Sequence, residues 1–218
     1  MKNPHRPLLV LIPVLSLALS GCGAPSQIYA ADKKDGVYLT LPNGWHSVSQ
    51  QKLNSLEATS TVTGATERLS LVRWQEGFSP DAKIGAKAVL SLSAPSSPVI
   101  YVRVRGLTFD ETNAVSFNSL RNMIVPLTTW IDGSDTSAPE FQIFDDTPIV
   151  QKIARGVHTN YEFTVKGQPS QTIDQTALVS DDRSSIFVLI VRCTTTCFEK
   201  NRDLLSKISK SFTVRGTR

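Results

Sequence analysis

The chain has 218 residues, of which 40% are hydrophobic, and its formal net charge is +4. The hydrophobic fraction is sufficient for a folded core, and a chain of this length fits one domain. Nucleic-acid-binding domains are usually strongly basic, with clustered Lys and Arg. The small net charge therefore disfavours a nucleic-acid partner.

The first 21 residues have the features of a secretory signal. Lys2 and Arg6 precede a twelve-residue apolar run that begins at Leu8, and the run ends in the sequence Leu19-Ser20-Gly21-Cys22. A basic region, a short apolar region and small residues at a cleavage site are typical of such signals. Residues 1–21 are therefore predicted to lie outside the folded domain.

The alternatives to a lipoprotein signal are a transmembrane helix and an ordinary secretory signal. A transmembrane helix needs about 20 apolar residues, whereas this run is shorter and contains Pro13. An ordinary secretory signal could instead be cleaved near residues 30–31, because Ile28-Tyr29-Ala30 resembles a small-residue cleavage site. The position of Cys22 directly after Leu-Ser-Gly favours the lipoprotein signal over both.

This sequence resembles the lipobox of bacterial lipoproteins. The resemblance implies diacylation of the Cys22 thiol, cleavage before Cys22 and, usually, acylation of the new amino terminus. Two or more acyl chains anchor a protein stably. We therefore expect a protein on the extracytoplasmic face of the bacterial cell envelope, anchored in the cell membrane, or in the outer membrane if the host has one.

Residues 22–34 are predicted to be the lipidated cysteine and a flexible tether. The segment is small and polar and has no helical periodicity. A flexible coil of its length has an end-to-end distance of roughly 20 Å. A single domain is then expected over residues 35–218. Loss of residues 1–21 removes Lys2 and Arg6 and no acidic residue, so the net charge falls by two, from +4 to +2.

The domain is predicted to begin with a β-hairpin. Residues 37–41 alternate strictly, the turn signal Pro42-Asn43-Gly44 follows, and residues 45–48 would form the return strand. Trp45 is then expected to be a core residue rather than a ligand-binding one. The pattern of residues 50–66 is ambiguous. A strand is expected over 67–74 and a short strand over 89–92, with a loop or weak helix over 77–88 between them.

The clearest strand covers residues 99–107. Its alternation places Ile100, Val102 and Val104 on one face and Tyr101, Arg103 and Arg105 on the other. The second face is a candidate binding face for acidic lipid headgroups or an acidic partner. The alternative is a solvated outer face of an antiparallel sheet.

A helix is predicted next, because Phe117, Leu120, Ile124 and Leu127 recur at helical spacing. Asn113 or Ser116 could cap its start. Pro126 should end or kink it near Ile124. Residues 132–139 read as a loop, and their carboxylates do not match the ligand pattern of a calcium loop.

Three strands in meander order and a final helix complete the prediction. The strands cover 161–166, 172–179 and 186–191, and the last is apolar without alternation, as expected where both faces are covered. Thr196 and Glu199 have capping-box spacing at the start of a helix of about 14 residues. Leu205, Ile208 and Phe212 would form its buried face, and residues 213–214 a tail or a short edge strand.

Cys193 and Cys197 lie at the junction of the last strand and this helix. In an oxidising compartment a nearby pair favours a disulfide, although so short a loop gains only about 2 kcal/mol. Redox chemistry is the alternative, because a thiol near a helix N-terminus has a lowered pKa. Zinc is the weakest of the three readings, because only His46 and His158 remain as further ligands.

No catalytic residue is predicted. The common nucleophile, metalloprotease, phosphate-loop and dinucleotide motifs are absent from the sequence. Asp145 and Asp146 are adjacent, so on an extended segment they would point to opposite sides, and a turn is their expected role. No cofactor and no metal site is expected.

The order of elements resembles the PsbP-like family. The residues that carry the resemblance are 36–45 (Gly-Val-Tyr-Leu-Thr-Leu-Pro-Asn-Gly-Trp), Ser119-Leu120-Arg121 and Ser209-Lys210-Ser211-Phe212. The resemblance covers residues 35–214, and the paired cysteines and the long segment 75–97 depart from it. It implies an α+β fold, with an antiparallel sheet flanked by helices, and members that mostly bind or assemble rather than catalyse.

Two functional hypotheses follow. The first is a non-enzymatic, membrane-anchored lipoprotein that binds a protein partner, an envelope component or a small apolar ligand, through a sheet face or a groove beside the middle helix. The second is an extracytoplasmic thiol redox protein that uses Cys193 and Cys197. The absence of convergent polar groups in the sequence favours the first.

Overall fold

The computed structural model describes residues 26–216, which form two antiparallel sheets with helices around them. The strands of this part of the chain are β1 (Gln27–Asp32), β2 (Val37–Pro42), β3 (His46–Val48), β4 (Val72–Ser79), β5 (Val99–Gly106), β6 (Glu140–Val150), β7 (Ala154–Thr164), β8 (Gln171–Ser180), β9 (Ser185–Thr194) and β10 (Thr213–Val214). Its helices are α1 (Gln50–Glu57), α2 (Ala65–Ser70), α3 (Ala86–Leu90), α4 (Phe109–Ala114), α5 (Phe117–Arg121), α6 (Leu127–Ile131), α7 (Thr195–Lys200) and α8 (Arg202–Ser211).

The larger sheet has seven strands in the order β3-β4-β5-β9-β8-β7-β6, and the smaller has three in the order β1-β2-β10. Strands β6 to β9 form a meander, and β5 pairs with the far side of β9. β9 is central and buried along nearly its whole length. Its continuous apolar sequence fits a strand that is covered on both faces.

Two cores lie on opposite faces of the larger sheet. The first is closed by the smaller sheet and by α8, and it contains Ile100, Val102 and Val104 of β5. The second is closed by α1, α3, α5 and α6, and it contains Tyr101. Because alternate residues of a strand point to opposite faces, β5 contributes to both cores, and full burial of each aliphatic side chain stabilises the fold by about 1.5–3 kcal/mol.

The predicted class is confirmed: the fold is α+β, with antiparallel sheets flanked by helices in one domain. The strand predicted over 99–107 and the three meander strands are also present. Within residues 26–216, none of the helices has both the length and the apolar character needed to cross a membrane.

The prediction of a tether over 22–34 is wrong for its second half. Residues Gln27–Asp32 form β1, which pairs with β2 in antiparallel register from Gln27 opposite Pro42 to Asp32 opposite Val37. Ile28 and Ala30 face the first core while Tyr29 faces outward. Only these two residues of the segment face the core, which is too short an apolar pattern to predict a strand from the sequence alone.

The predicted hairpin around Pro42-Asn43-Gly44 is also wrong. β2 belongs to the smaller sheet, whereas β3 pairs with β4 in the larger one, so the turn connects two sheets. Gly44 has a φ of +81°, which a residue without a Cβ adopts easily, and the Asn43 N–H donates to the Ser26 carbonyl at 3.1 Å. Trp45 is half-buried against the first core, as expected of a core residue.

Two short helices replace strands that the sequence predicted. Residues 67–70 belong to α2, and β4 starts only at Val72. Val89 and Leu90 end α3, and residues 91–92 belong to no helix or strand. Val89 of α3 packs directly over Gly77 of β4, where a Cβ would lie 2.6 Å from a Val89 methyl carbon. Tertiary packing has thus overridden the strand propensity of Val-Leu-Ser-Leu.

The middle helix is shorter than predicted. Ser116 caps α5, as one of the two predicted options, and its hydroxyl accepts from the Ser119 N–H in a capping box. The helix ends at Arg121, before Ile124, and a separate helix, α6, starts at Leu127 directly after Pro126. Strand β6 follows the predicted loop 132–139 and was not expected from the sequence; as an edge strand it tolerates Pro148.

The C-terminal helix is divided at Asn201 into α7 and α8. The capping prediction is wrong by two residues, since the hydroxyl of Thr194, and not of Thr196, accepts from the Cys197 N–H. Leu205, Ile208 and Phe212 are buried as predicted. Residues 213–214 form the edge strand β10 on β2.

Candidate functional site

Tyr101, Arg103 and Arg105 lie on one face of β5, opposite Ile100, Val102 and Val104. This face is not a solvated outer surface. The exposed fractions of Tyr101 and Arg105 are only 8% and 9%, because helices and loops lie over them. The reading of a solvated sheet face is therefore wrong, and the arginines line a recess beneath the helical layer.

The Arg103 guanidinium is held by α1. Its Nη1 donates to Glu57 Oε1 at 2.6 Å and lies 3.3 Å from the Tyr101 hydroxyl. Tyr101 in turn donates to Gln75, whose amide donates to Glu57 and to Asn54. Burial of Arg103 opposes its charge, but Tyr101 and Glu57 outweigh this and raise its pKa. The guanidinium is therefore permanently charged and fixed in direction.

Arg105 is held by α4 in a bidentate pair. Its Nη1 and Nη2 donate to the two Glu111 carboxylate oxygens at 2.7 and 2.8 Å. Glu111 also accepts from the Thr108 N–H and so closes the capping box that starts α4. The hydrogen bonds from Arg105 hold the pKa of Glu111 below its usual value. One carboxylate thus both starts the helix and orients the arginine.

A groove of about 430 Å³ opens over this face, and we call it the arginine groove. Three arginines line it, Arg68, Arg103 and Arg105, with a single carboxylate among the lining residues, Glu57. The polar part meets an apolar floor formed by Met123, Ile124, Ile186 and Val188. The groove therefore offers guanidinium donors next to hydrophobic surface.

A smaller cavity of about 100 Å³ adjoins this groove, and we call it the apolar slot. The two share the side chains of Arg105, Met123 and Ile186. The rest of the slot is largely apolar, with Leu107, Ala114, Val115 and Leu120 in its wall. Groove and slot together form one recess with a cationic mouth and a hydrophobic end.

This arrangement suits an anion that carries an apolar group. Guanidinium groups bind carboxylates and phosphates through parallel N–H donors in a planar fork. Ligand pockets are usually hydrophobic with a few placed polar groups, as here. The residues beside α5 that line the groove, Asn122, Met123 and Ile124, agree with the expectation of a groove next to the middle helix.

A second cluster lies on the other face of the larger sheet, where no site was predicted. His158 of β7 lies between two carboxylates, with Nδ1 2.8 Å from Asp145 and Nε2 3.0 Å from Asp174. Ser209 of α8 also donates to Asp174, at 2.7 Å. The hydrogen bond to Asp174, followed by the charges of both carboxylates, raises the pKa of His158 to about 9 although burial opposes it.

The His158 cluster borders a cavity of about 530 Å³. Both ring nitrogens are within hydrogen-bond distance of carboxylates, so the ring is held in place from two sides. The cluster acts as an ion-pair contact that ties β6, β7 and β8 to α8. Asp174 is buried in β8 among other buried polar residues such as Gln175 and Thr176, so the sequence of this strand did not mark it as the partner of a charged group.

Asp145 and Asp146 lie in β6 and not in the turn that the sequence predicted. They point to opposite sides, as consecutive residues of a strand do. Asp145 contacts His158, while Asp146 accepts from Arg121 of α5 at 2.9 Å. The pairing of β6 with β7 is irregular between Ile143 and Asp145, which indicates a bulge at this point.

The sulfurs of Cys193 and Cys197 lie at bonding distance, and their Cα atoms are 5.9 Å apart. This Cα separation lies within the usual range for disulfides. Cys193 is fully buried in the first core. Cys197 is only partly buried, so burial protects the Cys193 sulfur from another thiol and not the whole pair.

Cys22 lies outside the described residues, so its predicted lipidation stays a prediction. His46, the other histidine considered as a metal ligand, is exposed at the edge of the larger sheet, far along the chain from His158. In residues 26–216 no three His, Cys, Asp or Glu side chains are grouped so that they could hold a metal ion.

Neither the family models nor the curated proteins give a match to this sequence. Several solved structures are similar in fold. The PsbP protein (CyanoP) of Synechocystis sp. PCC 6803 is 14% identical, covering 89% of this chain and 95% of its own, with a TM-score of 0.49.

LpqN of Mycobacterium tuberculosis, described as involved in cell envelope biogenesis, is 14% identical, covering 86% of this chain and 89% of its own, with a TM-score of 0.46. The Ran-binding protein Mog1p of Saccharomyces cerevisiae is 10% identical, covering 87% of this chain and 96% of its own, with a TM-score of 0.42. At these identities and scores the similarities carry no information on what this chain binds.

Proposed function

We propose that this protein is a non-enzymatic lipoprotein of the bacterial cell envelope that binds a small anionic amphiphile in the arginine groove. The observation that carries the proposal is the continuity of the cationic groove with the apolar slot, through Arg105, Met123 and Ile186. An anionic group would lie against Arg68 and Arg103, and a short apolar chain would extend into the slot.

The anchor in this proposal is Cys22, supported by the lipobox and the short apolar run before it. Substitution Cys22→Ser should release the protein from the membrane fraction or leave the precursor uncleaved. A variant that fractionates and is processed like the wild type would contradict the anchor. Detergent extraction is carried out on both the wild type and Cys22→Ser, because only this comparison distinguishes a lipid anchor from association with a membrane protein.

The charge of the arginine groove and the size of the apolar slot indicate the chemistry of the ligand. Arg103 and Arg105 are each paired with one carboxylate, whereas Arg68 at the rim donates only to the Thr63 carbonyl. The groove therefore keeps an excess of positive charge. The slot is small, so it suits a short alkyl chain and not a folded partner. A peptide from a partner protein with an acidic and an apolar side chain could present the same chemistry.

The proposal can be tested with octyl phosphate as the probe, by titration calorimetry on residues 23–218 produced without lipid. Arg103→Gln and Arg68→Gln should each weaken binding by about tenfold to a hundredfold, because a hydrogen bond to a charged group is worth about 1.5–3 kcal/mol. Arg121→Gln is the matched control, because Arg121 is paired with Asp146 and does not itself line the groove. Circular dichroism checks that each variant is folded.

A neutral probe of the same chain length, octyl glucoside, tests the anionic part. It should bind much more weakly than octyl phosphate. Equal binding of the two probes, or the same affinity in the wild type and both groove variants, would overturn the proposal. If neither probe binds, but the protein captures an acidic peptide and Arg103→Gln abolishes that capture, the ligand of the groove is a protein partner and not an amphiphile.

A further inference from the structure

The chain enters the fold very close to the predicted anchor. The Ser26 carbonyl already accepts from the Asn43 N–H, and β1 begins at Gln27. Ser26 is the fourth residue after Cys22, and four residues span at most about 14 Å even when fully extended. If Cys22 carries the lipid, as the proposed function holds, this point of the fold must stay within that distance of the bilayer.

The entry point and the arginine groove lie on opposite faces of the larger sheet. β1 and β2 cover the first core, where Leu39 and Leu41 of β2 pack with Ile100 and Val102. The groove lies on the second face, over Tyr101. The larger sheet and its side chains therefore separate the anchor from the groove.

The groove also extends away from the entry point along β5, from Tyr101 to Arg105. From Pro42 the chain passes through the turn to β3, where His46 is paired with Ser79, next to Ile100 at the start of β5. Arg105 lies near the other end of β5, opposite Ile186. The rise along a strand, about 3.4 Å per residue, separates Ile100 from Arg105 by about 17 Å.

We propose that the surface formed by Tyr29, Asn43, Trp45 and His46, the anchor end, contacts the bilayer that carries Cys22, and that the arginine groove opens away from it. Tyr29 is an aromatic residue with 74% of its surface exposed, only three residues after Ser26. Tyr and Trp are the residues that favour the membrane–water interface. Trp45 is partly exposed at the same end.

This orientation decides where the ligand comes from. The groove is turned away from the headgroups of the anchoring membrane, so its ligand is taken from the aqueous compartment or from a partner that approaches from that side. In this orientation Arg103 and Arg105 would not dock directly on headgroups beside the tether. The protein would then present its binding site outward from the membrane surface.

The experiment uses the full lipidated protein in nanodiscs with a quencher on the lipid headgroups. A fluorophore is attached to a cysteine introduced by Asn43→Cys at the anchor end, or by Val62→Cys at the rim of the groove, where the side chain is 65% exposed. Gln27→Cys replaces the first variant if that one does not fold. The unsubstituted protein, labelled in parallel, measures any background from its own cysteines.

We expect strong quenching at position 43 and little at position 62. Equal or stronger quenching at position 62 would overturn the orientation while leaving the anchor intact. Flotation of the same proteins with vesicles measures the anchor separately. Loss of flotation would contradict the proposed lipidation and this inference with it, whereas octyl phosphate binding tests the groove independently of both.

Discussion

The pair of ionic contacts at His158 predicts an unusual dependence of stability on pH. His158 lies between Asp145 and Asp174, and its side chain is 20% exposed. The two carboxylates raise its pKa from the ordinary value of 6.5 to about 9, with the hydrogen bond to Asp174 as the largest cause. The folded protein therefore holds a proton that the unfolded chain releases near pH 6.5.

The direction of the effect follows from this difference. Below pH 6.5 the imidazole is protonated in both states, and the ion pairs contribute their full stability. As the pH rises through about 9 the folded protein loses the proton and the contribution disappears. The difference in pKa corresponds to a decrease of about 3 kcal/mol in the free energy of unfolding between these limits.

Urea unfolding of the wild type and of His158→Gln at pH 6, 7.5 and 9.5 tests this reasoning. The variant should be less stable at pH 6, and its stability should fall less with pH than that of the wild type. The other charged groups at the cavity, Glu162, Glu199 and Arg202, are present in both proteins, so their titration cancels in the difference. His46→Gln, at an exposed position, is the matched control. A wild type and a His158→Gln variant with the same pH dependence would refute the assigned role of the cluster.

Two further predictions concern packing and covalent structure. Gly77→Ala should lower the free energy of unfolding, measured by urea denaturation, by about 1–3 kcal/mol, because the new Cβ would meet Val89. Gly85→Ala is the control: no atom lies within 4 Å of the added Cβ, so its effect in the same assay should be much smaller. Intact-mass measurement of the mature protein should show Cys193 and Cys197 two hydrogens lighter before reduction than after; alkylation of both without prior reduction would instead favour the redox alternative.

Local sequence was sufficient to predict the elements whose pattern is strong within a few residues. The alternation of 99–107 predicted β5 and the division of its side chains between two faces. The spacing of Leu205, Ile208 and Phe212 predicted the buried side of α8, and the apolar run 186–191 predicted a strand covered on both faces. In each case the period of the side chains matches the geometry of the element.

The smaller sheet could not be predicted in the same way. It joins β1 and β2 to β10, which comes from the other end of the chain. Its pairing depends on contacts between distant residues and not on any local period. A Pro-Asn-Gly sequence forms a tight turn equally well within a hairpin or between two sheets, so the sequence alone did not decide which strand β2 pairs with.

The site shows the same limit. The shared face of Tyr101, Arg103 and Arg105 on β5 was predicted, but its covering was not, because Glu57 lies 46 residues from Arg103 along the chain. Likewise Asp174 and His158 meet only because β7 and β8 are neighbours with this register. Charged residues in a single sequence do not indicate their partners when the partners belong to different elements.

The carboxylates that pair with the arginines of the groove also determine which ligands the groove can bind. Glu57 and Glu111 already accept from Arg103 and Arg105, so a bound anion must compete with carboxylates that are held in place by Gln75 and by the cap of α4. Charge alone therefore gives a free anion little advantage over water, and salt should weaken that advantage further. An apolar group that enters the slot adds about 25 cal/mol for each Å² of surface that it buries. We therefore expect octyl phosphate to bind and inorganic phosphate to bind far more weakly. Competitive binding of inorganic phosphate at equal concentration would contradict the amphiphilic character assigned to the site.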